Sequence, residues 1–337
     1  MTIHVYFVYK GKANSDRWTR QIPGGTFTIN GCEFHFGDPP ASLDWIVVYD
    51  ELPRSGPALS KNVFDCDQAN TLLVTTEPSS IKRYSRIYLD QFGTVLTSQE
   101  PEYLTGKDVV RSQCGLRWFV GADSEPLMTW DDLASLKPTG KPGTISTVCS
   151  TKTGGRTNHD RRLEYTKDFV SYFPDTHWFG KGVKEIRDKS EGLFQFQYHL
   201  CIENHVSPDH WTEKLADAYL GWTLPLYVGC PNICDYFDDQ SLIQLDVDAR
   251  SRDFPKVHEC ISQNAFDDSY ECIKASRDQV LHKYNLFSVI TKIIRERDGD
   301  SVRLLNKPAS LYSRRDLRRK HPLSGAMEML AKLRRGF

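Results

Sequence analysis

Four consecutive strings decide the fold: Phe196-Gln-Tyr-His-Leu-Cys-Ile-Glu203-Asn204, His205-Val-Ser-Pro-Asp-His210, Trp211-Thr-Glu-Lys-Leu-Ala-Asp-Ala-Tyr-Leu-Gly-Trp222 and Leu224-Pro-Leu-Tyr-Val-Gly-Cys-Pro-Asn232. Residues 198–202 read as a strand, 211–220 as a helix and 224–228 as a second strand. Strand, helix and strand in that order make a βαβ unit in a parallel sheet, whose carboxyl edge is where open α/β sheets bind ligands. Free N–H groups and a partial positive charge at the helix start attract anions. Lys214 adds a full charge there, Glu213 offers an acceptor suited to a ribose diol, and Glu203 and Asn204 end the preceding strand. A plainer reading makes this a helix cap, with Asp209 or Thr212 capping and Glu213 complementing the dipole.

Working outward, residues 3–8, 45–49, 71–75 and 94–97 read as strands, with Ser79-Ser80 capping a helix over 81–92. Pro and Gly concentrate at 138–143, the expected joint. Beyond it, 144–149, 177–179 and 241–245 read as strands, 160–172 as a helix, and 254–297 as largely helical. This gives an α/β chain with an N-terminal domain at 1–140, a second at 141–300 and a tail at 301–337.

The net charge of −1 over 337 residues supplies no global basic field, so nucleic acid is not an expected partner. No apolar run approaches a membrane span, and the N-terminus reads as a strand rather than a signal peptide, so a cytoplasmic location is expected. Nine scattered cysteines without a C-x-x-C pair predict free thiols rather than a zinc site or a disulfide framework. The Asp65-Cys-Asp67 and Asp246-Val-Asp248 strings can bind hard cations, but such strings are short and common, and no metal is assigned to them.

The motif resembles the donor-binding motif of the family 10 glycosyltransferases, the α-1,3/1,4-fucosyltransferases. The resemblance rests on Glu203-Asn204, Thr212-Glu213-Lys214-Leu215, Ala218 and Pro225-Leu226-Tyr227-x-Gly229. It implies a GT-B fold, two Rossmann-like domains facing a cleft, with a helical C-terminal tail. It also implies inverting transfer of fucose from GDP-fucose to a hydroxyl of a glycan or glycolipid acceptor, with no metal or other cofactor required.

One-step inversion needs a base on the acceptor side. The resemblance puts Glu77 in that role, in Thr75-Thr76-Glu77-Pro78, where the family has Thr-Gly-Glu-Asn. By the same resemblance Glu213 meets the ribose, Lys214 the diphosphate, and Asn204 the nucleotide. His210 stands where members often carry Tyr. The family arginine that clamps the diphosphate falls in Gly180-Lys-Gly-Val-Lys184, where Lys184 occupies its place and Arg187 follows. Lysine gives charge without a bidentate fork, so either Lys184 suffices or Arg187 reaches in. Trp18, Trp118, Phe119 and Trp130 suit either sugar stacking or a core.

From Arg303 to Phe337 there are ten Lys/Arg against Asp316 and Glu328. With Leu323, Met327 and Leu330 at i, i+4 and i+7, this tail reads either as a peripheral contact to an anionic membrane over 313–337 or as a packed helix. Two other functional readings stay open: the same fold using a different GDP- or UDP-sugar, and a non-catalytic nucleotide-sugar binding module. A dinucleotide oxidoreductase is disfavoured, because no Gly-x-Gly-x-x-Gly follows the first strand.

Overall fold

The computed structural model describes residues 2–11, 15–53, 62–100, 104, 108–138, 140–152, 159–298 and 307–322. The chain divides into two compact units. Unit 1 comprises residues 1–19, 26–114 and 289–337, and unit 2 comprises 20–25 and 115–288.

The strands of unit 1 are β1 (Ile3–Tyr9), β2 (Thr28–Ile29), β3 (Cys32–His35), β4 (Trp45–Tyr49), β5 (Asn62–Asp67), β6 (Thr71–Val74), β7 (Thr94–Thr97) and β8 (Asp108–Arg111). Its short helices are α1 (Asp16–Thr19) and α2 (Arg86–Leu89). Seven strands form one sheet in the order β2-β3-β1-β4-β6-β7-β8, parallel except for β2. The strands β4, β6 and β7 are near-continuous apolar runs because both faces of a parallel sheet are covered.

Unit 2 holds α3 (Trp130–Ser135), β9 (Gly143–Val148), α4 (His159–Tyr172), β10 (His177–Phe179), β11 (Phe196–Ile202), α5 (Glu213–Leu220), β12 (Leu224–Val228) and β13 (Ile243–Gln244). Helices α6 (Arg250–Ser262), α7 (Ala265–Asp268) and α8 (Tyr270–His282) follow, and α9 (Leu286–Asp298) carries the chain from unit 2 into unit 1. The sheet order is β10-β9-β11-β12-β13, wholly parallel. Numbered within the unit this is 2-1-3-4-5, a doubly wound order whose direction reverses between β9 and β11, the place where such sheets bind ligands. The chain then returns to unit 1 as β14 (Pro308–Leu311), antiparallel to β5, and α10 (Arg314–Lys320).

The expected α/β class, with parallel sheets and a helical C-terminal region, is the one observed. The helix over 81–92 is a correction: only Arg86–Leu89 is helical, with Ser85 at its N-cap position but making no side-chain cap bond. Lys82 and Tyr84 turn to Asp50, with Lys82 Nζ 2.8 Å from its carboxylate, and Gln99 Nε2 donates to the carbonyls of Glu77 and Lys82. Those bonds hold the backbone out of a helix. The Pro/Gly stretch at 138–143 lies inside unit 2. Lys141 Nζ donates to the carbonyls of Leu193, Phe194, Phe196 and Gly221 at 2.8–3.1 Å, and a Cβ on Gly143 would lie 2.5 Å from the Phe196 ring. Glycine is there to allow close packing. Trp18 and Trp118 are core residues, whereas Phe119 is exposed and Trp130 is partly buried, its indole N–H donating to Leu281 O.

Residues 314–320 form a packed helix: Leu317 joins the unit 1 core, and Ser313 caps the N-terminus. The apolar stripe through Leu323, Met327 and Leu330 lies outside the described residues. No helix among the described residues is long and apolar enough to cross a membrane. All nine cysteines are free, and six of them are buried.

Candidate functional site

The site grows from the end of β11. Glu203 follows Ile202 and is fully buried, a position a carboxylate takes only when it is paired. It accepts the Thr212 backbone N–H at 2.8 Å, the Thr212 hydroxyl at 2.7–2.9 Å and Lys214 Nζ at 3.3 Å. Thr212 is the N-cap of α5, and its hydroxyl oxygen accepts the Lys214 N–H at 3.3 Å. Of the two candidate caps, Thr212 is the one used. Glu203 thus ties the end of a strand to the start of the next helix.

Lys214 Nζ has three acceptors: Thr212 Oγ1 at 3.1 Å, Glu213 Oε1 at 3.2 Å and Glu203 Oε2 at 3.3 Å. Burial works against its charge, but the two carboxylates outweigh burial and raise its pKa. Burial likewise pushes Glu213 up, yet Lys214 and Lys189 override it and hold Glu213 at about 2. Both side chains are ionised at neutral pH.

Tyr227 and Gly229 of the Pro-x-Tyr-x-Gly string have a local explanation. Tyr227 is buried and curls back so that its hydroxyl accepts the Cys230 N–H at 3.0 Å. A Cβ on Gly229 would lie 2.4 Å from that hydroxyl and 2.7 Å from Glu203 Cγ. Glycine is required there because the tyrosine and the buried carboxylate fill the space.

A small pocket lies at the switch point, lined by Thr147, Val148 and Cys149 at the end of β9 and Leu200, Cys201 and Ile202 at the end of β11. Arg162 of α4, Lys189, Lys214 and Asp217 complete its charged wall. Lys189 bonds Asp217 at 2.7 Å and lies 5.1 Å from the Phe119 ring centre. Burial lowers the Lys189 pKa, and the Asp217 and Glu213 charges more than restore it.

Of the sequence candidates Lys214 lines this pocket, whereas Asn204 and Glu213 stand behind it, bonded to the lining residues Arg162 and Lys214. Asn204 Oδ1 accepts from Arg162 at 2.6 Å. His210 lies on the connecting loop, buried, with its ring edge-on to His205. Lys184 and Arg187 are exposed and do not line the pocket: Lys184 lies over the Phe179 ring, and Arg187 pairs with Glu125. Glu77 belongs to unit 1, beyond the carboxyl end of β6, with its backbone carbonyl bonded to Gln99. Arg162 was not among the sequence candidates. Its signal is weak, one of two adjacent arginines on α4, and only the fold brings it to Asn204. Its Nε is buried without a hydrogen-bond partner, so it retains a donor for an anion.

The Asp-x-Asp strings have structural uses. Asp67 caps the turn over 68–70, Asp246 accepts the Asp248 N–H at 2.9 Å, and Asp248 pairs with Arg161.

Fold and pocket together define a parallel α/β protein with a charged pocket at its sheet switch point. No protein-family model matches the chain. It is 35% identical over 60 residues to the α-(1,3)-fucosyltransferase FucT of Helicobacter pylori, a match spanning 18% of this chain and 13% of that protein. It is 23% identical over 209 residues to α-(1,3)-fucosyltransferase B of Drosophila melanogaster, spanning 57% of this chain and 39% of the relative. The matches therefore span less than half the length of either relative. A crystal structure of an α1,3-fucosyltransferase superposes with a TM-score of 0.47 at 16% identity, covering 84% of this chain and 92% of that one. In sequence the chain is thus similar to α-1,3-fucosyltransferases over these stretches, in line with the resemblance carried by its motifs.

Proposed function

We propose that this chain is an inverting glycosyltransferase of GT-B type that transfers fucose from GDP-fucose to a hydroxyl of a glycan acceptor. The observation that carries the reading is the pocket at the unit 2 switch point, where Arg162, Lys189 and Lys214 converge beside the start of α5. Lys189 and Lys214 are matched by nearby carboxylates, while Arg162 bonds a neutral amide. Diphosphate oxygens would take the free donor of Arg162 and the Lys214 ammonium, stabilising charge as it develops on the leaving group. Ionised Glu213 would accept from the ribose hydroxyls. Glu77 would remove the acceptor proton as the acceptor oxygen attacks the anomeric carbon from the face opposite the departing GDP.

The sequence homologues and the neighbouring structures, among them an α1,3-fucosyltransferase with GDP-fucose, support this donor. A second reading, another GDP- or UDP-sugar on the same fold, is favoured by the exposed position of Lys184 where the family has its arginine. Calorimetry with GDP, GDP-fucose, GDP-mannose and UDP, each against wild type and Lys214→Ala, separates the two. The proposal expects selective binding of GDP and GDP-fucose, weakened in the variant by roughly 2–5 kcal/mol, as for loss of one partner of a desolvated charge pair. Preference for UDP, or equal binding by the variant, would overturn it. Failure of the wild type to turn over GDP-fucose with any glycan acceptor would favour a binding module instead.

A further inference from the structure

On one face of the unit 1 sheet, His4 of β1 and Glu33 and His35 of β3 turn their side chains to one point. The register explains why. The strands β1 and β3 are parallel, with His4 opposite Glu33 and Tyr6 opposite His35. Alternation buries Ile3, Val5, Cys32 and Phe34 and leaves His4, Tyr6, Glu33 and His35 together on the other face. His4 Nδ1 lies 3.1 Å from His35 Nε2 and 3.5 Å from Glu33 Oε2, and His35 Nε2 lies 3.9 Å from Glu33 Oε1.

We infer that these three residues form a binding site for a zinc-class divalent cation, with a water as the fourth ligand. Two imidazoles and one carboxylate suit a borderline cation of the zinc, nickel and copper group better than magnesium or calcium, which take all-oxygen sets. The spacing fits as well. Four ligands at tetrahedral positions about 2.0–2.1 Å from a zinc ion sit about 3.3–3.4 Å from one another; the His4–His35 separation of 3.1 Å and the His4–Glu33 Oε2 separation of 3.5 Å lie either side of that value, while His35 is nearer the other Glu33 oxygen.

The site is also held from behind. The His4 backbone N–H donates to Asp44 at 2.8 Å, and the Asp44 N–H returns a bond to the His4 carbonyl. The Tyr6 hydroxyl donates to Gly37 O at 2.7 Å, fixing the chain just past His35. Side-chain exposures of 31%, 39% and 24% for His4, Glu33 and His35 leave the ligands reachable from solvent. A bound ion would tie β3, which carries the edge strand β2, to the centre of the sheet. The site belongs to unit 1 and is separate from the donor pocket chemistry.

The test uses the full chain, stripped with a chelator and dialysed, then titrated with zinc chloride in a calorimeter. Cys234, an exposed thiol, is replaced by Ser in every sample to remove a competing soft ligand. The inference expects one zinc per chain and a rise in melting temperature with zinc. His35→Ala and Glu33→Gln should each lose affinity by more than the roughly 10–100-fold typical of an outer-shell partner. Circular dichroism in EDTA should match wild type for both variants, since all three side chains are partly exposed. Absence of saturable binding to the wild type, or equal binding by His35→Ala, would show a hydrogen-bonded triad only and overturn the inference.

Discussion

His199 shows how one residue can make the switch-point pocket sensitive to acid. It is buried on β11 and lines the pocket, with Nδ1 2.8 Å from the Ser146 hydroxyl. That hydroxyl donates to the Gly192 carbonyl, so Nδ1 carries the proton and donates to the serine oxygen. Burial first, then the charges of Lys189 and Lys141, lower the pKa from 6.5 to about 3. The unfolded chain therefore takes up a proton before the folded one does. Stability from a neutral His199 is complete above pH 6.5 and is lost as pH falls toward 3, at up to about 1.4 kcal/mol per pH unit. Glu213, held at about 2 against a usual 4.5, adds its own loss only below pH 4.5. Between pH 6.5 and 4.5 the comparison with a His199 variant separates the histidine from Lys141, which burial lowers to about 7, and Asp217, which burial raises. His199→Gln should flatten the slope in that window, and an unchanged slope would show that His199 is not the titrating group.

At the level of elements, the donor motif is a packing solution as much as a binding sequence. Tyr227 folds over Gly229, Glu203 fills the space beside them, and Glu203 in turn holds Thr212 and Lys214. Gly229→Ala would push against the Tyr227 ring and the Glu203 stem, with a stability cost of about 1–3 kcal/mol as for other overpacked sites. It should also weaken GDP binding, because the displaced Glu203 no longer aligns Lys214. A variant with wild-type melting and wild-type GDP affinity would refute this coupling. These contacts also explain what the sequence could reveal. The strands 177–179 and 224–228 match the structure residue for residue; 224–228 is a buried apolar run bounded by turns, and 177–179 is a short edge strand ended by the Gly180 turn. The Glu213-Lys214 start of α5 was legible from its Thr cap and charges. The helix over 81–92 was misread because its rivals are long-range: Asp50 and Gln99 are far away in sequence. Arg162 was missed for the same reason, since its meeting with Asn204 depends on the sheet order. The His4, Glu33 and His35 cluster was equally hidden, because only the pairing of β1 with β3 brings these residues together.

Across the whole molecule, the two units divide the proposed work. The pocket proposed for the donor is lined wholly by unit 2 residues, while Glu77 belongs to unit 1. Glu77→Gln should therefore cut turnover by about 10²–10⁴-fold, the usual contribution of a general base, and leave GDP affinity unchanged by calorimetry. Loss of both together would remove Glu77 from the role. The C-terminal segment needs a different cut from the one its charge pattern suggests. Removing 313–337 would delete α10 with its Ser313 cap and take Leu317 out of the unit 1 core that holds Tyr312, so reduced membrane binding could not be told from unfolding. A chain ending at Pro322 keeps α10 and the exposed Arg315, Arg318, Arg319 and Lys320. It lacks Lys332, Arg334 and Arg335 together with the apolar stripe. If the segment holds an anionic surface, each lost cation is worth about 1 kcal/mol. Sedimentation with phosphatidylglycerol vesicles should then show full-length protein bound far more tightly than the shortened chain. The difference should shrink in high salt, where surface charges are screened. Equal binding by the two chains at low salt would place any membrane contact elsewhere.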